Sequence, residues 1–168
     1  MHARKPAKAL GPTPTSATRT LQVVTAVCSL LFALGSALHG FAVIDTSVIE
    51  EMMRRAGGAD PAGDAPGFTT GFRIVGTVYV VGNALGVLAL WSRSQVLYWW
   101  VLAVNVTQGL GWVMIPSEMW TVVSDRYGAW GVLPSAVTDG GAVVLSVVLL
   151  VALVRFRTPW AQRRAVRP

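Results

Sequence analysis

Four apolar stretches, each about long enough to cross a bilayer, dominate this 168-residue chain. They run over roughly 20–44, 70–91, 95–116 and 131–154. A helix needs about 20 apolar residues to span a hydrocarbon core of about 30 Å. Buried soluble helices can be as apolar, but four of them in so short a chain would leave almost no polar surface. Only 13% of the residues are charged, against about 25% in ordinary soluble domains. The expected fold is therefore all-α, an integral membrane four-helix bundle.

Charge placement gives the expected topology. The formal net charge is +6, which in a soluble protein would suit nucleic acid, but the basic residues are segregated. Arg4, Lys5, Lys8 and Arg19 precede the first stretch, Arg93 follows the second, and Arg155, Arg157, Arg163, Arg164 and Arg167 follow the fourth, all without a neighbouring acid. Every acid outside the spans falls in the other two loops, with Arg54, Arg55 and Arg126. Lys and Arg thus alternate sides, the positive-inside pattern for four spans with both termini in the cytoplasm of a plasma-membrane protein. The basic ends are expected to meet anionic headgroups, and no nucleic acid is expected as a partner. The single cysteine, Cys28 in the first span, leaves no thiol pair for dithiol chemistry. The stretch ending in Gly35–Ser36–Ala37 is signal-like, but the apolar run continues to Ile44. An uncleaved span is expected.

Residues 1–19, with Pro6, Pro12 and Pro14, predict a disordered basic arm whose removal leaves folding intact, and 155–168 a basic cytoplasmic tail. In the external loop 45–69, Ser47 and Glu50 have capping-box spacing, and Glu50–Arg54 and Glu51–Arg55 are i,i+4 pairs. A short helix over about 48–56 is expected, then a flexible link through GGADPAGDAPG. Tryptophans 91, 99 and 100 at one end of the spans and 112, 120 and 130 at the other suggest interface belts.

Each span carries one polar stripe at 100° per residue. Thr25, Ser29, Ser36 and His39 form it in the first; Arg73, Gly76, Val80 and Asn83, with Tyr79 at the edge, in the second. Asn105, Gln108, Gly109 and Trp112 form it in the third, and Ser135, Asp139, Ala142 and Ser146 in the fourth. Lipid would reject these faces, so they are expected to meet in a polar seam in the outer half of the bilayer. Arg73 and Asp139 are the opposite charges within it, and their ion pair would explain a carboxylate in so apolar a segment. Gly140 and Gly141 would let a neighbouring backbone approach.

The seam has two readings. The pair can fix helix register, or the seam can be a pocket with His39, Tyr79, Asn83, Asn105, Gln108 and Trp112 around it, taking a lipid-like or quinone-like molecule. No metal cluster and no cofactor motif is present in the sequence. The residues favour a non-catalytic membrane component acting through a bound lipid, a membrane-protein partner or a second copy of itself. The alternative is a small intramembrane enzyme on an apolar, isoprenoid-like substrate, with Asp139 as acid and His39 as base. A proton-coupled transporter is disfavoured by the expected neutralisation of Asp139.

The run GFRIVGTVYVVGNALGVLAL, with Arg73 three residues before Gly76, and the following SRSQVLYWWVLAVNVTQGLGWVMIP resemble the second and third spans of DoxX-like four-helix membrane proteins. The resemblance covers about 70–116 and implies a fold more than an activity. It makes Arg73 and Gly76 structural or pocket positions.

Overall fold

The computed structural model describes residues 13–163, so the expectations for residues 1–12 and 164–168 fall outside the described residues. Four helical runs are long and apolar enough to cross a membrane: Ser16–Val43, Pro61–Leu90, Gln95–Met114 and Ala129–Phe156. The first is α1 (Ser16–Leu38) continued by a π turn, His39–Val43. A short α2 (Thr46–Arg55) leads to α3 (Pro61–Gly86), which ends in a 3-10 turn, Val87–Leu90. Next come α4 (Gln95–Met114) and α5 (Ser117–Tyr127). The last run is α6 (Ala129–Ser135), a second π turn, Ala136–Gly140, and α7 (Gly141–Phe156).

The long helices lie side by side, α1 against α3 and α7, α4 against α3 and α7. Thr25, Ser29, Asn83, Asn105, Gln108 and Ser146 are buried between them, whereas Leu34 and Val113 are 61% and 77% exposed. This is the reverse of a soluble core and suits an apolar surround. Several glycines allow close approaches, two of them against α1. A Cβ at Gly86 would lie 2.3 Å from Ser29 Oγ, and one at Gly141 2.6 Å from the Phe32 ring. Gly140 has open space around it and no close neighbour, so only the second of the two adjacent glycines has the expected packing role.

At one end α2 and α5 pack on each other and form a cap. Ile44, Val48, Ile49 and Met52 meet Met119, Val122 and Val123 in a separate apolar cluster that also takes in Ala65 of α3. The second helix of this cap was not legible as such, because SEMWTVVSDRY is short and mixed in polarity. The short helix expected over about 48–56 does form, but its N-cap is Asp45, whose carboxylate accepts from Val48 N–H at 2.8 Å and Ser47 Oγ–H at 2.7 Å. Ser47 is thus inside the helix, so the expected Ser47/Glu50 capping box is corrected to an Asp45 cap. Both expected i,i+4 pairs are present, and Arg55 also reaches Asp125 of α5 at 2.8 Å.

GGADPAGDAPG is not wholly a flexible link. Asp60 accepts from Gly63 N–H at 3.1 Å and Pro61 opens α3, the N-cap and N1 chemistry that starts a helix. The span therefore begins nine residues before the expected Thr70.

Burial alone would raise the Asp45 carboxyl, but bonds from Ser47 and Val48 and the Arg126 charge outweigh it and hold it below the usual carboxylate range. Arg55, then Arg54, likewise hold Glu51 low, against a smaller opposing effect of burial. Groups depressed on folding contribute stability above the unfolded value, about 4, and lose it as pH falls through the folded value. The cap is therefore expected to loosen in acid, below about pH 4. Amide-exchange protection at Val48 should drop there before that of the long helices; protection lost uniformly along the chain would show that these carboxylates do not hold the cap.

The opposite end is closed by residues 13–18 and 158–163. Thr15 caps α1 in a reciprocal box with Thr18, and both hydroxyls donate to Ala161 O at 2.8 and 3.1 Å. Thr13 and Arg163 form an isolated antiparallel bridge. Trp160 is fully buried beneath the helices. From residue 13 inward, then, the N-terminal arm is ordered, and the tail as far as Arg163 folds back on the helices. Removal of residues through 18 is no longer expected to be harmless.

Candidate functional site

Both π turns border the same cavity. A π turn adds one residue to a helical turn, widens it and redirects the side chains on it. The first supplies His39 and Gly40, and the second supplies Thr138 and Asp139. The remaining wall comes from Ser36 of α1, from Phe72, Val75, Gly76 and Tyr79 of α3, and from Thr107, Gln108, Gly111 and Met114 of α4, with Ile115 just beyond it. The cavity holds about 240 Å³ and lies directly under the cap, whose apolar cluster is flanked by Phe72 and Ile115. Val75, Thr107 and Met114 are exposed residues on its rim, so its mouth lies between α3 and α4.

Gln108 organises the polar wall. Its Oε1 accepts from Asn83 Nδ2 at 2.7 Å, and its Nε2 donates to Ser36 Oγ at 3.1 Å and to Asp139 Oδ1 at 3.4 Å. One side chain thereby ties all four long helical runs together. Asp139 also accepts from Ser135 Oγ–H at 2.5 Å and Thr138 Oγ1–H at 3.1 Å. His39 is 8% exposed, and neither of its ring nitrogens has a hydrogen-bond partner in the protein. Its ring lies 6.2 Å from that of Phe72.

Of the residues expected in the seam, His39, Tyr79, Gln108 and Asp139 line the cavity, and Asn83 lies behind Gln108. Asn105 is buried, donating to Val101 O of its own helix, away from the cavity wall. Trp112 turns out to pack against Trp120 of α5 in a tilted pair, with ring centroids 5.3 Å apart.

The expected Arg73–Asp139 ion pair does not form: among the described residues every salt bridge lies in the α2–α5 cap and its flanks. The Arg73 guanidinium is instead 5.8 Å from the Phe41 ring centroid. Helix phase explains this. Phe72, Val75, Gly76 and Tyr79 face the cavity, and the stripe expected to do so, Arg73–Gly76–Val80–Asn83, is centred roughly 60° around the helix from them. The carboxylate is held by neutral donors alone.

This placement sets a measurable expectation for the two charges. Arg73→Leu and Asp139→Leu should act additively on stability, with an interaction free energy within about 0.5 kcal/mol of zero. Thermal unfolding of the two single variants and the double variant in mild detergent closes the cycle. Rescue in the double variant would mean that the charges meet after all.

Sequence reasoning missed Phe72, Thr107, Met114 and Thr138 as wall residues. The first and third look like lipid-facing apolar positions, and the two threonines are polar residues that bond to their own helices. Compared with known proteins, the chain matches no family model, no curated protein and no solved structure.

Proposed function

We propose that the chain is a non-catalytic component of the plasma membrane, a four-helix bundle that holds a lipid-like or quinone-like molecule in the cavity under its cap. The observation that carries this reading is the convergence of two π turns, from the first and last long runs, on one cavity. Such turns are frequently found at functional sites, and here each one places a polar side chain on the wall. The apolar remainder of the wall and the mouth between α3 and α4 suit a molecule that enters from the lipid. The kinship with DoxX-like proteins that we propose rests on Arg73 and Gly76. Gly76 borders the cavity, and Arg73 follows Phe72, which does too.

In this reading both termini are cytoplasmic and the cap is external. The end that carries the termini holds Arg19, Arg93, Arg155, Arg157 and Arg163, suited to anionic headgroups, and every acid outside the long spans is on the other side or its loops. On a Cys28→Ser background, a cysteine at Ala56 should label from outside intact cells and one at Gln95 should not; the reverse pattern overturns the orientation.

The binding reading is tested by filling the cavity. Gly76 borders the cavity and a Cβ there meets nothing within 4 Å, so Gly76→Leu is expected to fill part of the cavity. Native mass spectrometry of protein extracted in mild detergent should find a lipid-soluble molecule on the native chain and not on Gly76→Leu. Equal retention by both would sink the reading.

A further inference from the structure

We infer that the molecule taken by this cavity is an amphipathic cation, a protonated amine on an apolar body, with Asp139 as its counter-charge. The inference rests on the reading of the cavity as a ligand site and adds the chemistry of the ligand. Asp139 is fully engaged by donors yet electrically unanswered. Ser135, Thr138 and Gln108 all donate to it, so both of its oxygens are held as acceptors. Those donors fix its direction but carry no charge. No arginine or lysine nitrogen of the described residues lies within salt-bridge distance, and Arg73 is engaged with Phe41.

An uncompensated carboxylate in an apolar surround is costly, so positive charge from outside the chain is favoured here. An inorganic cation needs about six oxygen ligands; this wall has one carboxylate, and the oxygens of Gln108, Thr107 and Thr138 are already in hydrogen bonds to Asn83, to their own helices or to Asp139. An ammonium needs less: one carboxylate, one or two acceptors and aromatic faces. His39 supplies the acceptor, being more than nine-tenths buried on the cavity wall with both ring nitrogens unpartnered. Tyr79 and Phe72 supply the faces. The apolar body of the ligand then fills the cavity and leaves through the mouth between α3 and α4.

Two rigid probes of nearly equal shape separate charge from fit: 1-adamantylamine, protonated at neutral pH, and 1-adamantanol. Calorimetric titration of the purified protein in a non-ionic detergent should give the amine at least about tenfold tighter binding, the factor expected of a charge-assisted hydrogen bond over a neutral one. In Asp139→Asn that preference should vanish, the two probes then binding within about twofold of each other. Equal binding of both probes to the native protein overturns the inference, as does a preference that survives Asp139→Asn. The amine-to-alcohol ratio of the native protein decides the question by itself if that variant does not fold. Equal binding that is lost in Gly76→Leu rejects the charge and leaves the cavity reading standing. Binding of neither probe rejects both.

Discussion

Trp160→Ala is expected to destabilise the protein by about 3–5 kcal/mol, the range for removing a large buried aromatic. The residue is fully buried, its ring meets Tyr98 edge-to-face at 5.2 Å, and its Nε1–H donates to Ser94 O at 2.8 Å. Tyr98 in turn donates to Leu149 O at 2.6 Å. The indole therefore joins the chain end to the start of α4 and, through Tyr98, to α7. It also holds the backbone that presents Ala161 O to Thr15 and Thr18. That backbone is strained: Arg157, Trp160 and Ala161 have φ of 54°, 60° and 51°, which costs a non-glycine residue on the order of 1–3 kcal/mol each. Such a hook persists only because burial of the indole outweighs the strain. Trp160→Phe keeps most of the burial and loses the bond to Ser94, so it should cost only about 1–2 kcal/mol. Denaturant or thermal unfolding in mild detergent measures both, and protease cleavage after Arg157 should rise with Trp160→Ala. A loss below about 0.5 kcal/mol would be the value for a loose surface tail, and would mean that the hook is not held.

The long helices were legible because hydrophobic length is a local property. The inward face of α1 was legible for the same reason: Thr25, Ser29, Ser36 and His39 recur at helical spacing, and all four lie inward. Gln108 and Asn83 could be expected to meet, since lipid offers neither a partner, and they do at 2.7 Å. The failures came where local spacing underdetermines phase. Arg73 and Asn83 share a stripe in the sequence, yet only the Asn83 side of it faces inward at this depth. Charge matching made Arg73 look like the obvious partner of Asp139, but the long Arg73 side chain, midway along α3, turns to the Phe41 ring instead. The π turns left no signal in the residues. The terminal hook was illegible for another reason: its only strong cue, Trp160, depends on contacts with Tyr98 and Ser94, distant in the sequence.

Losing the expected ion pair changes what the carboxylate implies. With Arg73 against it, Asp139 would be a register device, and cation-coupled roles would have no charge to work with. Held by Ser135, Thr138 and Gln108 alone, it is a carboxyl group on a cavity wall, directed by neutral donors. Stability and function then converge on the residue that all four long runs share.

Gln108→Leu is accordingly expected to cost about 2–4 kcal/mol, because a buried polar group left without its partner costs about 1–3 kcal/mol and more than one group is affected. Asn83 Nδ2 keeps its bond to Tyr79 O, at 2.9 Å, but loses the amide oxygen it meets at 2.7 Å. Ser36 Oγ loses its donor, and Asp139 loses one of three. The Gln108–Asn83 contact joins α4 to α3, and the contacts to Ser36 and Asp139 join α4 to α1 and to the second π turn, so the substitution loosens the cavity wall from three sides at once. Pairing it with Asn83→Leu separates these effects. Removing both partners of a buried hydrogen bond strands fewer groups than removing one, so the double variant should lose at least about 1 kcal/mol less than the sum of the singles. Thermal unfolding in mild detergent gives the cycle. Amine affinity should fall in Gln108→Leu and stay low in the double variant, because Asp139 has lost the same donor in both. Recovered stability with recovered binding would show that Gln108 serves the helix contact alone and leaves the carboxylate's direction to Ser135 and Thr138.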